Sequence, residues 1–442
     1  MAQVVIKRKE KGDLFAPLSE ELLTDYLAGK QNGKGLAEWQ RERFALAQAV
    51  ATPTNKDEDF KYVNFRQLRL NDLRPIAVEW QSWKQGKLLA AGVNTESSIP
   101  EDYAVEQVQG DPESHIFYGS FAQAQQTHRE QLHSALDLIK TQFPARKFAL
   151  YANAFLSQGA FLHVARNTEE STPRQLFTRF AATESLFSPA TVAVVDSNAR
   201  ASLVWDIDSE ENASGVINGT MDVIVHSGSH LNLLITQHLS RAVDNISTIR
   251  IYLERDAQLE MAMINSGGKV NQMEIDIQMA EQGASALVNG VYLGRERENF
   301  NLLTHQHHKV GNTKSDLFYI GTLSGKSASN YLGKITISPG AQQSDAYQKN
   351  RNLILNHGCS VNSSPKLEIS ANDVRCSHGV TTAKVSDLEM YYLQSRGIDY
   401  ATAKVLLADG FISQVAPRIK SELLRDGFAR RLEALLNRWG GH

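Results

Sequence analysis

The stretches MDVIVHSGSHLNLLITQ (221–237), TIRIYLERDAQLEMAMIN (248–265) and QMEIDIQMAEQGASALVNGVYL (272–293) decide the fold. Each alternates apolar and polar side chains with a period of two, breaks at a brief polar turn, and resumes. Aligning the element that starts each second strand puts Leu231, Leu259 and Ala286 in register, at offsets of 28 and 27 residues. SASNYLGKITISPGAQQSDA (327–346) has the same character. Short strands returning at a near-fixed offset, without helices between them, favour a stacked β-solenoid over a sandwich, whose Greek-key loops vary in length. In such a stack alternate side chains form one continuous core, and the open ends must be capped or paired.

Upstream of about Phe161 the period is near four. LSEELLTDYLAG sets Leu22, Leu23, Tyr26 and Leu27 on one helical face behind a Ser19 cap, and GLAEWQRERFALAQAVA stops before Pro53. A third amphipathic stretch, His128–Phe143, carries Leu132, Leu136 and Ile139 and ends before Pro144. Asn71–Asp111 reads as loop-rich. The helical period returns at Ser386, where Ser386 and Glu389 are spaced as a capping box, Gly397 suits an αL ending and Asp399 caps a second helix. Pro417 is expected to open the last helix. Its stripe of Ile419, Leu423, Leu424, Phe428, Leu432, Leu435, Leu436 and Trp439 opposes Arg425, Arg430, Glu433 and Arg438. So wide a stripe must pack on neighbouring helices and the solenoid cap, or on a partner. The expected division is a mainly helical segment 1–146, a β core 147–380 and a helical segment 381–442.

Composition narrows the function classes. A chain of 442 residues, 42% hydrophobic, buries a large core. Its two cysteines, Cys359 and Cys376, exclude both a disulfide framework and a self-sufficient cluster or zinc site, which needs about four ligands. The segment MAQVVIKRKEKGD lacks the apolar core of a signal peptide and no run of about 18 apolar residues occurs, so a cytoplasmic compartment is expected. A net charge of −3 with mixed signs gives no footprint for nucleic acid or an anionic membrane.

Several motifs remain. GTLSGKS (321–327) has three residues, not four, between its first glycine and Gly-Lys-Ser, and a strand pattern follows where a helix should cradle phosphate. Nucleotide binding is not expected there. His305 and His307 can share a strand face as ligands, but with His308 they find no Cys, Asp or Glu nearby in sequence to complete a set. Asp206 and Asp208 read as solvated carboxylates. In PKLEISANDVRCSHGVTTAKVSDLEMYYLQSRGI (365–398), Cys376 and His378 stand two residues apart on a strand, a thiol and an imidazole on one face, suited to soft-metal or sulfur chemistry. The bland alternative is a buried small hydrophobe beside a hydrogen-bonded histidine.

AQQSDAYQKNRNLIL, PKLEISANDVRCSHG and LEMYYLQSRGI together resemble the SufB/SufD family. Weaker similarity runs through PTNKDEDFKYVNF (53–65), KFALYANAFLSQGAFLHVARN (147–167) and the pair His308 and Ser315. The resemblance implies a right-handed parallel β-helix flanked by helical domains and a role as a non-catalytic scaffold subunit in iron–sulfur cluster assembly. It implies a SufB-like paralogue as heterodimer partner, a SufC-like ABC ATPase that hydrolyses ATP and docks within 386–442, and a homodimer when the chain is alone. Asn350 at the apparent cysteine position and Gly379 beside the histidine resemble the SufD branch, since asparagine carries neither persulfide nor thiolate. For that branch the resemblance assigns cluster assembly at the shared interface to His378, with Cys376 second and Cys359 without a role. It leaves open a reduced flavin in the complex and a bacterial or plastid setting. The competing readings are a SufB-like subunit, a purely structural solenoid and a carbohydrate-active β-helix.

Overall fold

The computed structural model describes residues 14–29, 34–61, 63, 68, 70, 73–77, 80–83, 87–90, 115–170 and 172–440, with backbone alone at 34, 80–83, 87–90 and 439–440. The segment 1–13, most of Asn71–Asp111, part of 53–65 and the Trp439 side chain lie outside the described residues.

The chain opens with α1 (Glu20–Ala28) and α2 (Lys34–Ala49), followed by short strands β1 (Arg74–Pro75), β2 (Trp80–Trp83), β3 (Lys87–Ala90) and β4 (Ile116–Ser120). Helices α3 (Phe121–Thr127), α4 (Arg129–Gln142) and α5 (Lys147–Ala154) come next. Ser19 caps α1 by accepting from the Leu22 N–H at 3.1 Å, and Leu132, Leu136 and Ile139 are buried on α4. Residues 147–154, grouped with the β core in the sequence reading, form α5 instead.

From β5 (Gln158–Val164) the chain winds through two facing parallel sheets; the short strand β7 (Ser185–Phe187) interrupts the first turn, and from β8 onward each strand pairs with the next but one. One sheet runs from β5 through β8 (Pro189–Val195), β10 (Gly215–Val225), β12 (Val243–Leu253), β14 (Val270–Met279), β16 (Asn299–His308) and β18 (Ala328–Ile337) to β20 (Ser360–Ile369). The other runs from β6 (Arg174–Phe180) through β9 (Arg200–Ser209), β11 (His230–Leu239), β13 (Gln258–Gly267), β15 (Ser285–Gly294), β17 (Lys314–Leu323) and β19 (Asp345–Ile354) to β21 (Arg375–Lys384). Leu231 pairs with Leu259 and Leu259 with Ala286, the register expected from the repeat.

The inward row makes the register. Leu231, Leu233, Met261, Met263, Ile275 and Ile277 are buried in one continuous core, and each fully buried side chain of this size contributes about 1.5–3 kcal/mol. Tyr292 and Tyr319 fit only because glycines face them: a Cβ at Gly321 would lie 2.0 Å from the Tyr292 ring and one at Gly290 2.1 Å from the Tyr319 ring. The turns leading from the first sheet to the second stack as well. Asn167, Asn198, Gly228, Asp256, Gly283 and Asn312 hold positive φ there, a backbone region that glycine, asparagine and aspartate enter at least cost.

Helices cover both outer faces. Phe161, Val192, Val194 and Ile224 of the first sheet pack against Leu132, Leu136 and Ile139, while Leu234, Ile264, Val291 and Ile320 of the second pack against Ile419, Leu424, Phe428 and Leu432. The C-terminal unit comprises α6 (Asp387–Ser395), α7 (Tyr400–Ile412) and α8 (Glu422–Gly440). The Ser386–Glu389 capping box, the αL Gly397 and the Asp399 cap all form. Pro417 does not open α8: it sits in a single tight turn, Ala416–Arg418, and α8 begins five residues later, because Ser421 supplies the N-terminal cap. Leu423 leaves the stripe and is 41% exposed. The stripe lies along the side of the solenoid and not over its end.

Asp206 and Arg431 pin α8 there. Asp206, expected to be solvated, is 1% exposed. It accepts from Arg431 Nε and Nη2 at 2.7 Å each, from Gln175 Nε2 at 2.7 Å and from the Thr236 hydroxyl. Sequence alone hides this because the partners are 225 residues apart. Arg431→Met, which strands the carboxylate, is expected to cost about 3–5 kcal/mol, read as a lowered urea midpoint. Adding Asp206→Asn should recover much of the loss, since no buried charge then lacks a counter-ion.

Candidate functional site: the open end of the solenoid

The first turn of the stack is closed by β4, which runs antiparallel to β5. The last turn differs. Among the described residues β20 pairs only with β18, and β21 only with β19, so both terminal strands keep one free edge. Their inward-facing side chains have no further rung to cover them. On β21, Cys376 is in register with buried Ala346 and His378 with buried Gln348, which identifies both as members of the inward row. Sequence spacing therefore brings the thiol and the imidazole to one face as expected.

Their surroundings separate them. Cys376 packs beside Ile335, Ile337, Ala346 and Ala371, is half-buried, and has its thiol pushed above the usual cysteine range by burial. His378 is exposed, and no hydrogen bond or ion pair restrains its ring among the described residues. An unrestrained imidazole at an edge is an available nitrogen donor. Around the pair, Ile369 is 42% and Val380 40% exposed, both on strands whose earlier counterparts are buried. Behind it the core turns polar: Gln306 Nε2 lies 3.5 Å from Gln348 Oε1, Asn352 Nδ2 donates to Asn350 Oδ1 at 2.7 Å and the Ser363 hydroxyl donates to the same oxygen at 3.1 Å. Asn350 is completely buried in this network. At Gly379, where an added Cβ would meet nothing closer than Lys349 Cγ at 3.8 Å, no steric demand excludes a larger residue.

The remaining sequence motifs fall elsewhere. Cys359 lies in the turn before β20, its Sγ 3.6 Å from the Gly325 carbonyl, and burial raises its thiol too. GTLSGKS spans the end of β17 and a turn with Gly325 at positive φ, and strand β18 follows it, so no helix N-terminus is present for phosphate. His305 and His307 do share an outer face, with rings 5.4 Å apart, but their Nε2 atoms meet the hydroxyls of Thr336 at 2.9 Å and Ser338 at 3.1 Å. His308 points into the core between Thr313 and Ser315, and burial holds it neutral with a pKa of about 4. No group of three His, Cys, Asp or Glu side chains is arranged to hold a metal among the described residues. A second exposed surface lies on α6, where Leu388 is 76%, Tyr391 69% and Tyr392 56% exposed; it falls within the 386–442 range expected for docking, but sequence reasoning did not single out these residues. The signal was available as apolar residues on every side of a short helix.

The sequence profile described as SUF system FeS cluster assembly, SufBD core domain, matches residues 178–411. The chain belongs to the SufBD family. An iron–sulfur cluster assembly SufBD family protein of Mycobacterium leprae is 27% identical over 235 residues, 51% of this chain and 59% of that relative. The iron–sulfur cluster assembly protein SufD of Escherichia coli is 24% identical over 239 residues, 53% of this chain and 55% of SufD. A chloroplastic protein of Arabidopsis thaliana named ABCI7 is 20% identical over 416 residues, 90% of this chain and 86% of its own. The SufBD profile thus covers the solenoid from β6 onward together with α6 and most of α7. No helix among the described residues is long and apolar enough to cross a membrane.

Because burial raises both thiols, thiolate is scarcer at neutral pH than in a free cysteine. Iodoacetamide should therefore modify Cys376 and Cys359 more slowly than a cysteine-containing reference peptide at pH 7.5, with rates still climbing above the pH at which the peptide levels off. Mass-spectrometric time courses on wild type, Cys376→Ala and Cys359→Ala check this; modification faster than the peptide would show an activated thiol.

Proposed function

We propose that this SufBD family chain is a SufD-like subunit that supplies one half of a cluster-assembly site at the open end of its solenoid. The observation that carries the reading is the uncovered last turn with His378 on its inward row. A SufB-like paralogue would meet that end, adding strands to the free edges of β20 and β21 by backbone hydrogen bonding and covering Ile369 and Val380. His378 would then offer a neutral imidazole nitrogen to iron at the seam, while the paralogue supplies the thiolate that receives sulfur. Cys376 is the second candidate donor, held back by its raised thiol. The iron or cluster is cargo, present only during assembly.

Two positions support the SufD-like assignment over a SufB-like one. Asn350 occupies the inward row as a hydrogen-bonded amide, with no capacity to carry sulfur. Gly379 offers no carboxylate beside His378. The chain itself would not turn over substrate; hydrolysis of ATP belongs to a SufC-like ATPase. Its landing surface is the exposed apolar face of α6 and α7, where Leu388, Tyr391, Tyr392 and Tyr400 stand clear of the body. Closure of two ATPase subunits could then act on the solenoid end through α6, which follows β21 after two residues. Bacterial and chloroplastic relatives and two unpaired cysteines suit a reducing compartment.

Co-expression with SufB-like and SufC-like partners tests the proposal. Light scattering after size exclusion should give one copy of this chain, one paralogue and two ATPases. His378→Ala should keep that stoichiometry and lose most of the co-purifying iron and sulfide. Elution of this chain apart from soluble partners, as a monomer or as a dimer with itself, would overturn the shared-site mechanism.

A further inference from the structure

The two free edges at the open end are not equivalent. In a parallel ladder each residue directs its N–H and its carbonyl to the same side, and successive residues alternate sides. The Ser360 N–H at the start of β20 donates to the Ser327 carbonyl, the Ser370 N–H just past its end donates to the Ile337 carbonyl, and the register between β18 and β20 runs without a bulge. Even-numbered residues of β20 therefore face β18, and the odd-numbered Val361, Ser363, Pro365, Leu367 and Ile369 direct their backbone groups to the free edge. On β21 the parity is reversed. Arg375 and Val385 donate to the carbonyls of Ser344 and Ile354, so Cys376, His378, Val380, Thr382 and Lys384 direct theirs to the free edge.

Proline has no N–H. The β20 edge is thus broken at its midpoint, while the β21 edge offers a donor and an acceptor at every second residue among 376–384. Pro365 removes nothing from the ladder within the chain, because its nitrogen lies on the side away from β18. A strand laid along β20 would set one of its own carbonyls against the pyrrolidine ring without a donor; a strand laid along β21 meets a donor at each position. The break also has a defined level in the stack. Pro365 pairs with Gly333, where an added Cβ would collide with Gln348 Nε2, so the Gln348 carboxamide lies over Gly333. Gln348 is in turn in register with His378. Gly333 and Gln348 share one level of the interior, and Pro365 and His378 share the next, facing each other across it.

We propose that β21 is the edge that accepts an unbroken partner strand and that the β20 side of the seam is interrupted at Pro365, so the joint opens first on that side, level with His378. The occupant is an extended strand of the SufB-like paralogue, and the inference rests on the assembly reading above. With β21 as the hinge and β20 as the mouth, cargo reaches or leaves His378 without separation of the two chains.

Amide exchange read by mass spectrometry and sedimentation velocity, on the full chain alone and with the paralogue, test it. Association should protect the amides of 376–384 more strongly than those of 361–369. Val380→Pro removes an edge-facing N–H and no bond to β19, so the chain alone should melt within a few degrees of wild type while association weakens about tenfold or more. Thr382→Pro repeats the test should the first variant melt early. Pro365→Ala supplies the missing donor and should tighten association about threefold or more. Stronger protection of 361–369 than of 376–384, folded proline variants that associate like wild type, or Pro365→Ala without effect would each overturn the inference and leave the assembly reading standing. A wild type that ignores the paralogue but pairs with itself overturns the assembly reading alone, and the same variants then decide the edge in that dimer. A wild type that pairs with neither overturns both.

Discussion

A parallel ladder with a single inward row governs everything else in this molecule. Every strand must place alternate side chains in the core, and a slip of one residue would turn that row out to solvent. The chain meets this constraint with strands of near-constant length and lets the turns absorb the differences, so the offset is 28 residues between Leu231 and Leu259 but 30 between Asp345 and Arg375. Stacking also fixes where irregularity is allowed. Glycine, asparagine and aspartate collect at the αL turn positions, while Gly290 and Gly321 are spent inside the core to admit tyrosine rings. Because each rung is completed only by the next, the last one is incomplete by construction. The candidate site is a consequence of the fold's geometry, not an addition to it.

Period and punctuation in the sequence were enough for the solenoid, for its pairing register and for the helical flanks, because those depend on neighbours in the chain or on a repeat. Cys376 and His378 were equally legible, two residues apart on a strand. What could not be read depends on contacts across long separations. Asp206 looks like a surface carboxylate until α8 brings Arg431 to it. Pro417 looks like a helix start until Ser421 is seen to offer the cap. Residues 147–154 carry apolar side chains that suit a buried strand, yet form a helix whose every residue is buried between the flanking helices and the sheet. There, tertiary packing overrides a local pattern that fits either period.

The buried pair of Asp206 and Arg431 also fixes where the last helix sits on the solenoid. An apolar stripe alone would let α8 slide along the flat outer face of the second sheet at small cost, since dispersion contacts are non-directional. A bidentate ion pair with two further hydrogen bonds on the carboxylate accepts only one position. Helix α8, and α7 packed on it, are thereby referenced to particular rungs of the solenoid.

The interior changes character toward the open end, and this bears on how such an end can persist. In the middle rungs the inward row is Met261, Met263, Ile275 and Ile277; exposing a cross-section of that kind would forfeit about 1.5–3 kcal/mol for each side chain and create an adhesive patch. In the last rungs the row mixes Ile335, Ile337 and Ala346 with Gln348, bonded to Gln306, and with Asn350, which accepts from Asn352 and Ser363. An amide network loses little on meeting water, because water replaces the bonds it breaks. Apolar exposure at the end is then confined to residues such as Ile369 and Val380, enough to reward a matching surface and too little to drive indiscriminate association. The same gradient keeps His378 beside polar groups, where an imidazole can remain hydrated.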